Sequence, residues 1–99
     1  MSDASGNFRR EVTIVNQRGL HARASAQLAK IAGRYKAHVI LSTNSDEVSA
    51  LSIMGMLMLA ATKGTSLTIR GDGADAQQAV AEIAQMIENG FEEEDFPGY

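Results

Sequence analysis

Ninety-nine residues without a cysteine, carrying 12 acids against 9 bases for a net charge of −3, make one domain with room for a single core. They exclude disulfides, iron–sulfur clusters, thiolate zinc sites and cysteine nucleophiles. The charge is divided: residues 1–40 hold seven Arg or Lys against two acids, whereas residues 41–99 hold two bases against ten acids. A basic first half in an acidic chain points to acidic partners or phosphate and away from nucleic acid, whose binders are strongly basic overall.

Residues 1–7 (MSDASGN) have neither a basic leader nor an apolar run, and no later stretch approaches membrane-spanning length. A flexible N-terminus and a soluble, cytoplasmic protein without a membrane segment are expected, and the lack of cysteine fits a reducing compartment.

Residues 8–16 alternate, with Val12 and Ile14 on one face and Glu11, Thr13 and Val15 on the other, which predicts a half-buried strand. Asn16-Gln17-Arg18-Gly19 breaks it. Over 22–32 the apolar residues Ala24, Leu28, Ile31 and Ala32 follow helical spacing, and Gly33 is a natural stop. His21, within Gly19-Leu20-His21-Ala22-Arg23, therefore falls at or beside a helix N-cap. Unpaired N–H groups and the positive end of the helix dipole make such a place an anion site. An imidazole there can carry a phosphoryl group: the backbone N–H groups of Ala22, Arg23 and Ala24 can hold its oxygens, and the Arg23 guanidinium can balance its charge. An ordinary imidazole, with its pKa of about 6.5, is neutral often enough near pH 7 to attack phosphorus.

Residues 37–42 and 46–50 read as two short strands around the turn Thr43-Asn44-Ser45-Asp46, that is, a hairpin. Residues 52–59 form an apolar run opened by Ser52, a favoured N-cap, and followed by Ala60-Ala61-Thr62-Lys63-Gly64, which predicts a two-turn helix. Residues 65–70 alternate Leu67 and Ile69 inward, with Gly71-Asp72-Gly73 as the break. Asp75 and Gln78 fit a capping box ahead of Ala76, Val80, Ile83 and Ile87, and Gly90 closes the last helix. Residues 91–99 are an acidic tail holding Phe91, Phe96 and Tyr99, with room for a docking or self-masking role. The order β-α-β-β-α-β-α, with its central hairpin and amphipathic helices, predicts an α+β domain over 8–90 whose helices gather on one face of one sheet.

A strand, then G-L-H-A-R at a helix start, then Ser52-Ile53-Met54-Gly55 opening a second short helix and T-K-G-T before the last strand, together resemble the HPr family. HPr proteins are the histidine-containing phosphocarriers of the bacterial phosphoenolpyruvate-dependent phosphotransferase system. The resemblance runs from about Phe8 to Asn89. It implies an open-faced β-sandwich, a four-stranded antiparallel sheet covered on one face by three helices. It also implies that His21 is phosphorylated on Nδ1 with Arg23 facing the phosphate, and that Ser52 matches the serine modified by HPr kinase/phosphorylase in some bacteria. Its implied partners are enzyme I as phosphoryl donor and enzyme IIA proteins as acceptors, with the carrier a cytoplasmic monomer that needs no cofactor and no metal and is not itself an enzyme. Ala24 stands where the family usually has proline, which adds a backbone N–H to the first helical turn. Leu51 stands where it often has lysine, and the acidic tail is longer than the common form.

The helix at 52–59 is apolar all round, and only one face of a short helix can be buried against a sheet. Met54 and Leu57 or Met58 are therefore expected to meet partners, with Arg18, Lys30 and Arg34 as a basic rim that steers acidic surfaces. Ser52 caps its helix in any case, and a phosphate there would meet the helix dipole favourably while placing about two negative charges beside the apolar surface. His38 reads as an ordinary strand histidine. A regulator sensed through its phosphorylation state, in a nitrogen-type branch, is the alternative function. An RNA-recognition module is disfavoured because strands 37–42 and 65–70 lack aromatics, and a metal hydrolase because the two histidines have no ligand spacing.

Overall fold

The computed structural model describes residues 7–92. Most of the N-terminus expected to be flexible, and of the acidic tail, lies outside the described residues. The elements are β1 (Asn7–Thr13), α1 (Ala22–Ala32), β2 (His38–Ser42), β3 (Glu47–Ser49), α2 (Ile53–Leu59), β4 (Ser66–Asp72) and α3 (Ala76–Glu88), followed by a 3-10 turn at Gly90–Glu92. This is the order predicted from sequence. The four strands form one antiparallel sheet in the order β1-β4-β2-β3, so the α+β open-faced sandwich holds. The hairpin and the long connections place the last strand, β4, in the middle.

Alternation along the strands decides the faces. Val12, Val39, Leu41, Leu67 and Ile69 are buried, while Glu11, Thr13, His38, Ser66 and Arg70 face solvent. Onto the apolar face pack Ala24, Leu28 and Ile31 of α1, Met56 of α2, and Ala79, Val80, Ile83, Ala84 and Ile87 of α3, in one core. Asn7 already belongs to β1, paired with Asp72, and Phe91 is 3% exposed within the core. The sequence pattern alone places both residues in the chain ends.

Three local readings change in the folded chain. The strand predicted to reach residue 16 leaves the ladder after Thr13. Ile14 instead donates its N–H to Thr65 O at 2.9 Å and accepts from Gly64 N at 2.8 Å, tying the chain to the loop that follows α2. Gly71, read as a strand breaker, lies inside β4, paired with Phe8 and Val39; a Cβ there would stand 2.7 Å from Val80 Cγ2, so glycine lets α3 pack close on the sheet. The capping box at Asp75 does not form: Asp75 is the N-cap of α3, but its side chain makes no capping hydrogen bond. Its carboxylate instead accepts the N–H groups of Lys36 at 2.9 Å and Ala37 at 2.8 Å, closing the loop between α1 and β2.

These bonds, first that from Lys36 N–H and then that from Ala37 N–H, hold the Asp75 carboxyl below its ordinary pKa. A carboxylate with a depressed folded pKa contributes stability that is present above its unfolded pKa of about 3.9 and is lost as pH falls through the folded value. Asp75→Asn should therefore lower the urea midpoint at pH 7, and its gap from the parent should shrink as pH drops below about 4. A gap independent of pH would remove the ionised carboxylate from the account.

Helix α2 begins where Ser52 Oγ accepts the N–H of Gly55 at 2.9 Å, as expected of an N-cap serine. Ser52→Ala should lower stability by about 1 kcal/mol, read as a shifted urea midpoint with unchanged slope. An unshifted midpoint would mean the cap is idle.

Candidate functional site

His21 is the N-cap residue of α1, with extended backbone (φ −74°, ψ 179°) and no side-chain capping bond, and it is half-buried. The first intrahelical bond runs from Ser25 N to His21 O at 2.8 Å. The N–H groups of Ala22, Arg23 and Ala24 thus precede the helical ladder, as at any helix start. A proline at position 24 would remove one of these three donors.

The loop that presents His21 is held from both sides. Gly19 has φ +62°, and a Cβ there would fall 2.3 Å from Ala61 O and 3.0 Å from Thr62 Cα, so only glycine lets the loop lie against the exit of α2. Leu20 N donates to Ala61 O at 2.9 Å. The carbonyl of Gly19 accepts from both His21 N at 2.9 Å and the buried Asn16 side-chain amide at 3.0 Å. The Ser25 hydroxyl, fully buried, donates to Leu20 O at 3.3 Å. Asn16 and Ser25 were not anticipated as supports, since a loop asparagine and a helix serine carry no signal of burial without the fold.

Helix α2 lies along α1 in the opposite direction. Leu51, just before α2, is 3.9 Å from a Cβ placed on Gly33 at the end of α1, while Ala61, just after α2, bonds Leu20 at the start of α1. His21 and Ser52 therefore sit toward opposite ends of α2. Between them α2 buries Met56 completely and leaves Met54 67%, Met58 77% and Leu57 36% exposed. Ile53 and Leu51 extend this surface, and Val15 adds an exposed apolar side chain in the strand-to-helix connection.

The predicted basic rim divides. Arg18 and Arg23 are exposed beside His21 in sequence, and Lys63, absent from the prediction, is exposed in the loop after α2 that touches Gly19 and Leu20. Lys30 lies in the last turn of α1, toward the Ser52 end. Arg34 pairs with Glu82 of α3, which also accepts from the Tyr35 hydroxyl, and so belongs to the α1–α3 contact instead of the rim. His38 is exposed on β2. Among the described residues no group of three His, Asp or Glu could hold a metal, and no helix is long and apolar enough to cross a membrane.

A family model described as "PTS HPr component phosphorylation site" matches residues 8–89. The chain is 46% identical over 86 residues to a phosphocarrier protein HPr of Cupriavidus necator, covering 87% of this chain and 97% of that protein. It is 38% identical over 84 residues to a phosphocarrier protein NPr of Shewanella violacea, covering 85% and 92%. Among solved structures, HPr-C-His from Thermoanaerobacter tengcongensis superposes with a TM-score of 0.84 at 29% identity, over 88% of this chain and 98% of that one.

Proposed function

The chain belongs to the HPr family of phosphotransferase-system phosphocarriers, and from that membership we propose that His21 accepts a phosphoryl group from the phosphohistidine of enzyme I and donates it to a histidine of an enzyme IIA protein in the cytosol. The carrying observation is the placement of His21 at the N-cap of α1, directly ahead of three N–H groups outside the helical ladder and two residues before Arg23.

In the forward step an unprotonated Nδ1 of His21 attacks phosphorus as the N–P bond of the donor histidine breaks. The donor imidazole leaves with that bond's electron pair. The transferred group passes through a loose transition state in which charge spreads over its oxygens, so positioning and charge balance are what the carrier contributes. The Ala22, Arg23 and Ala24 N–H groups are fixed donors, and the Arg23 guanidinium brings the cation. The reverse geometry on the acceptor completes the relay, and the carrier is a covalent intermediate, not an independent catalyst.

Met54, Leu57 and Met58 form the partner surface, with Arg18 steering acidic partners toward His21 and Lys30 placed at the far end of the same surface. Ser52 is the proposed regulatory phosphorylation site of an HPr kinase/phosphorylase. Phosphate there would add negative charge at the edge of that surface without uncapping α2. Incubation with phosphoenolpyruvate and enzyme I should give an acid-labile, alkali-stable label that maps to His21. A label elsewhere, or none, would reject the assignment.

A second reading, a mainly regulatory protein of a nitrogen-type branch, has in its favour the similarity to a carrier named NPr. Transfer from labelled protein to sugar-specific enzyme IIA domains separates the two, since the regulatory reading expects none.

A further inference from the structure

The described chain ends next to the site. A Cβ on Gly90 would lie 3.6 Å from Val15 Cγ2 and 3.7 Å from Asn16 Cβ, the two residues that open the loop to His21. Phe91 is then buried, anchoring the exit there. Beyond Glu92 follow Glu93-Glu94-Asp95-Phe96-Pro97-Gly98-Tyr99. Seven extended residues reach about 23–25 Å, more than twice the roughly 10 Å length of α2.

The surface within that reach is complementary to this sequence in two ways. Residues 12–45 and 48–71, which contain the His21 loop, α1, α2 and its exit, hold no Asp or Glu at all. The cations Arg18, Arg23 and Lys63 are exposed at the His21 end. Next to them lies the exposed apolar strip of Met54, Leu57 and Met58. The segment after Phe91 has the same composition in opposite sense: four consecutive acids at 92–95, then Phe96 and Tyr99 around a Pro-Gly pair.

We propose that residues 92–99 dock onto their own chain across this surface, the acids against Arg18, Arg23 and Lys63 and the aromatics on Met54, Leu57 and Met58, as an internal competitor for acidic partners. The role as competitor rests on the phosphocarrier reading above; the docking itself does not. Flexible methionine side chains adapt readily to aromatic rings, and an intramolecular segment competes at high effective concentration. Partner binding then requires the tail to lift. A tail docked about four-fifths of the time weakens apparent partner affinity about fivefold. The acidic half is screened by salt, so the competition fades as ionic strength rises.

The full chain is compared with a chain ending at Glu92, with a Glu93→Gln, Glu94→Gln, Asp95→Asn variant and with Phe96→Ala, Tyr99→Ala. Amide NMR shifts at Arg18, Arg23, Met54, Met58 and Lys63 should differ between full and shortened chains. The charge variant should lose the shifts at the cations first, and the aromatic variant those on α2. Phosphorylation by enzyme I should proceed with about a fivefold lower KM in the shortened chain at low salt, the difference closing in 0.5 M NaCl. Identical shifts in all four proteins would overturn the docking. Shift differences that vanish on dilution, with a dimer of the full chain in sedimentation, would assign the tail to a second copy and overturn it as well. If no form is phosphorylated, the carrier reading fails while the shifts still decide the docking.

Discussion

His21→Ala is expected to abolish phosphoryl acceptance while leaving the fold in place. In the proposed relay the imidazole nitrogen is the atom that bonds phosphorus, and neither Arg23 nor the three first-turn N–H groups can substitute as nucleophile. Label incorporated from phosphoenolpyruvate and enzyme I should fall by about a thousandfold or more, to background, the scale on which loss of a covalent nucleophile is felt. The fold should tolerate the change for a structural reason: His21 occupies the N-cap position without a side-chain capping bond, so truncation removes no cap. The loop is held by backbone bonds to Gly19 and Ala61. Loss of label together with a thermal midpoint within a few degrees of the parent is the result that assigns the chemistry to the imidazole. An alanine variant that still takes up acid-labile label would refute the carrier assignment.

Gly19→Ala should be the most damaging small substitution near the site. Its φ of +62° alone costs an L residue about 1–2 kcal/mol. The new methyl would also sit 2.3 Å from the Ala61 carbonyl oxygen, which cannot yield without breaking the Leu20 N–H bond to the same oxygen. The two together should lower stability by about 2–4 kcal/mol, measured by urea unfolding. The same displacement moves the carbonyl that accepts His21 N, so the rate of phosphorylation should also drop. Gly64→Ala is the comparison: Gly64 has φ +92° with nothing within 4 Å, so only the backbone preference is lost, about 1–2 kcal/mol, without the added clash. Equal effects at the two glycines would show that the close approach to Ala61 is unimportant.

Much of the domain is legible in the chain. The alternation of Val12 and Ile14, the helical spacing of Leu28 and Ile31, the hairpin turn at 43–46 and Ser52 as a cap are local patterns that survive folding because each is set by spacing or residue type over a few positions. His21 and Ser52 stand out in the sequence because residue type and element boundary coincide at each, and both are N-cap residues in the structure. The failures share a cause. Asp75 has the chemistry of a capping residue, yet Lys36 and Ala37 N–H groups, 39 and 38 residues away, claim its carboxylate. Gly71 has the look of a terminator, and a helix of another part of the chain decides that it is a contact point. Arg34 belonged to the rim by sequence distance until Glu82 took it.

By itself, then, the sequence determined the element order, the sidedness of strands and helices, the chemistry available at the first helix start and the family to which these patterns belong, because periodicity, capping and side-chain chemistry act over a few residues. Only the tertiary structure decided that α2 runs back along α1, so that Ser52 and His21 flank one methionine-rich surface. It also decided that Gly19 must be glycine, that Asn16 and Ser25 support the loop, that Lys63 joins the His21 end and Lys30 the other, and that Phe91 seats the chain's exit beside Asn16. Each of these depends on which distant segments touch, and contact between segments is set by filling one shared core, which no local pattern specifies.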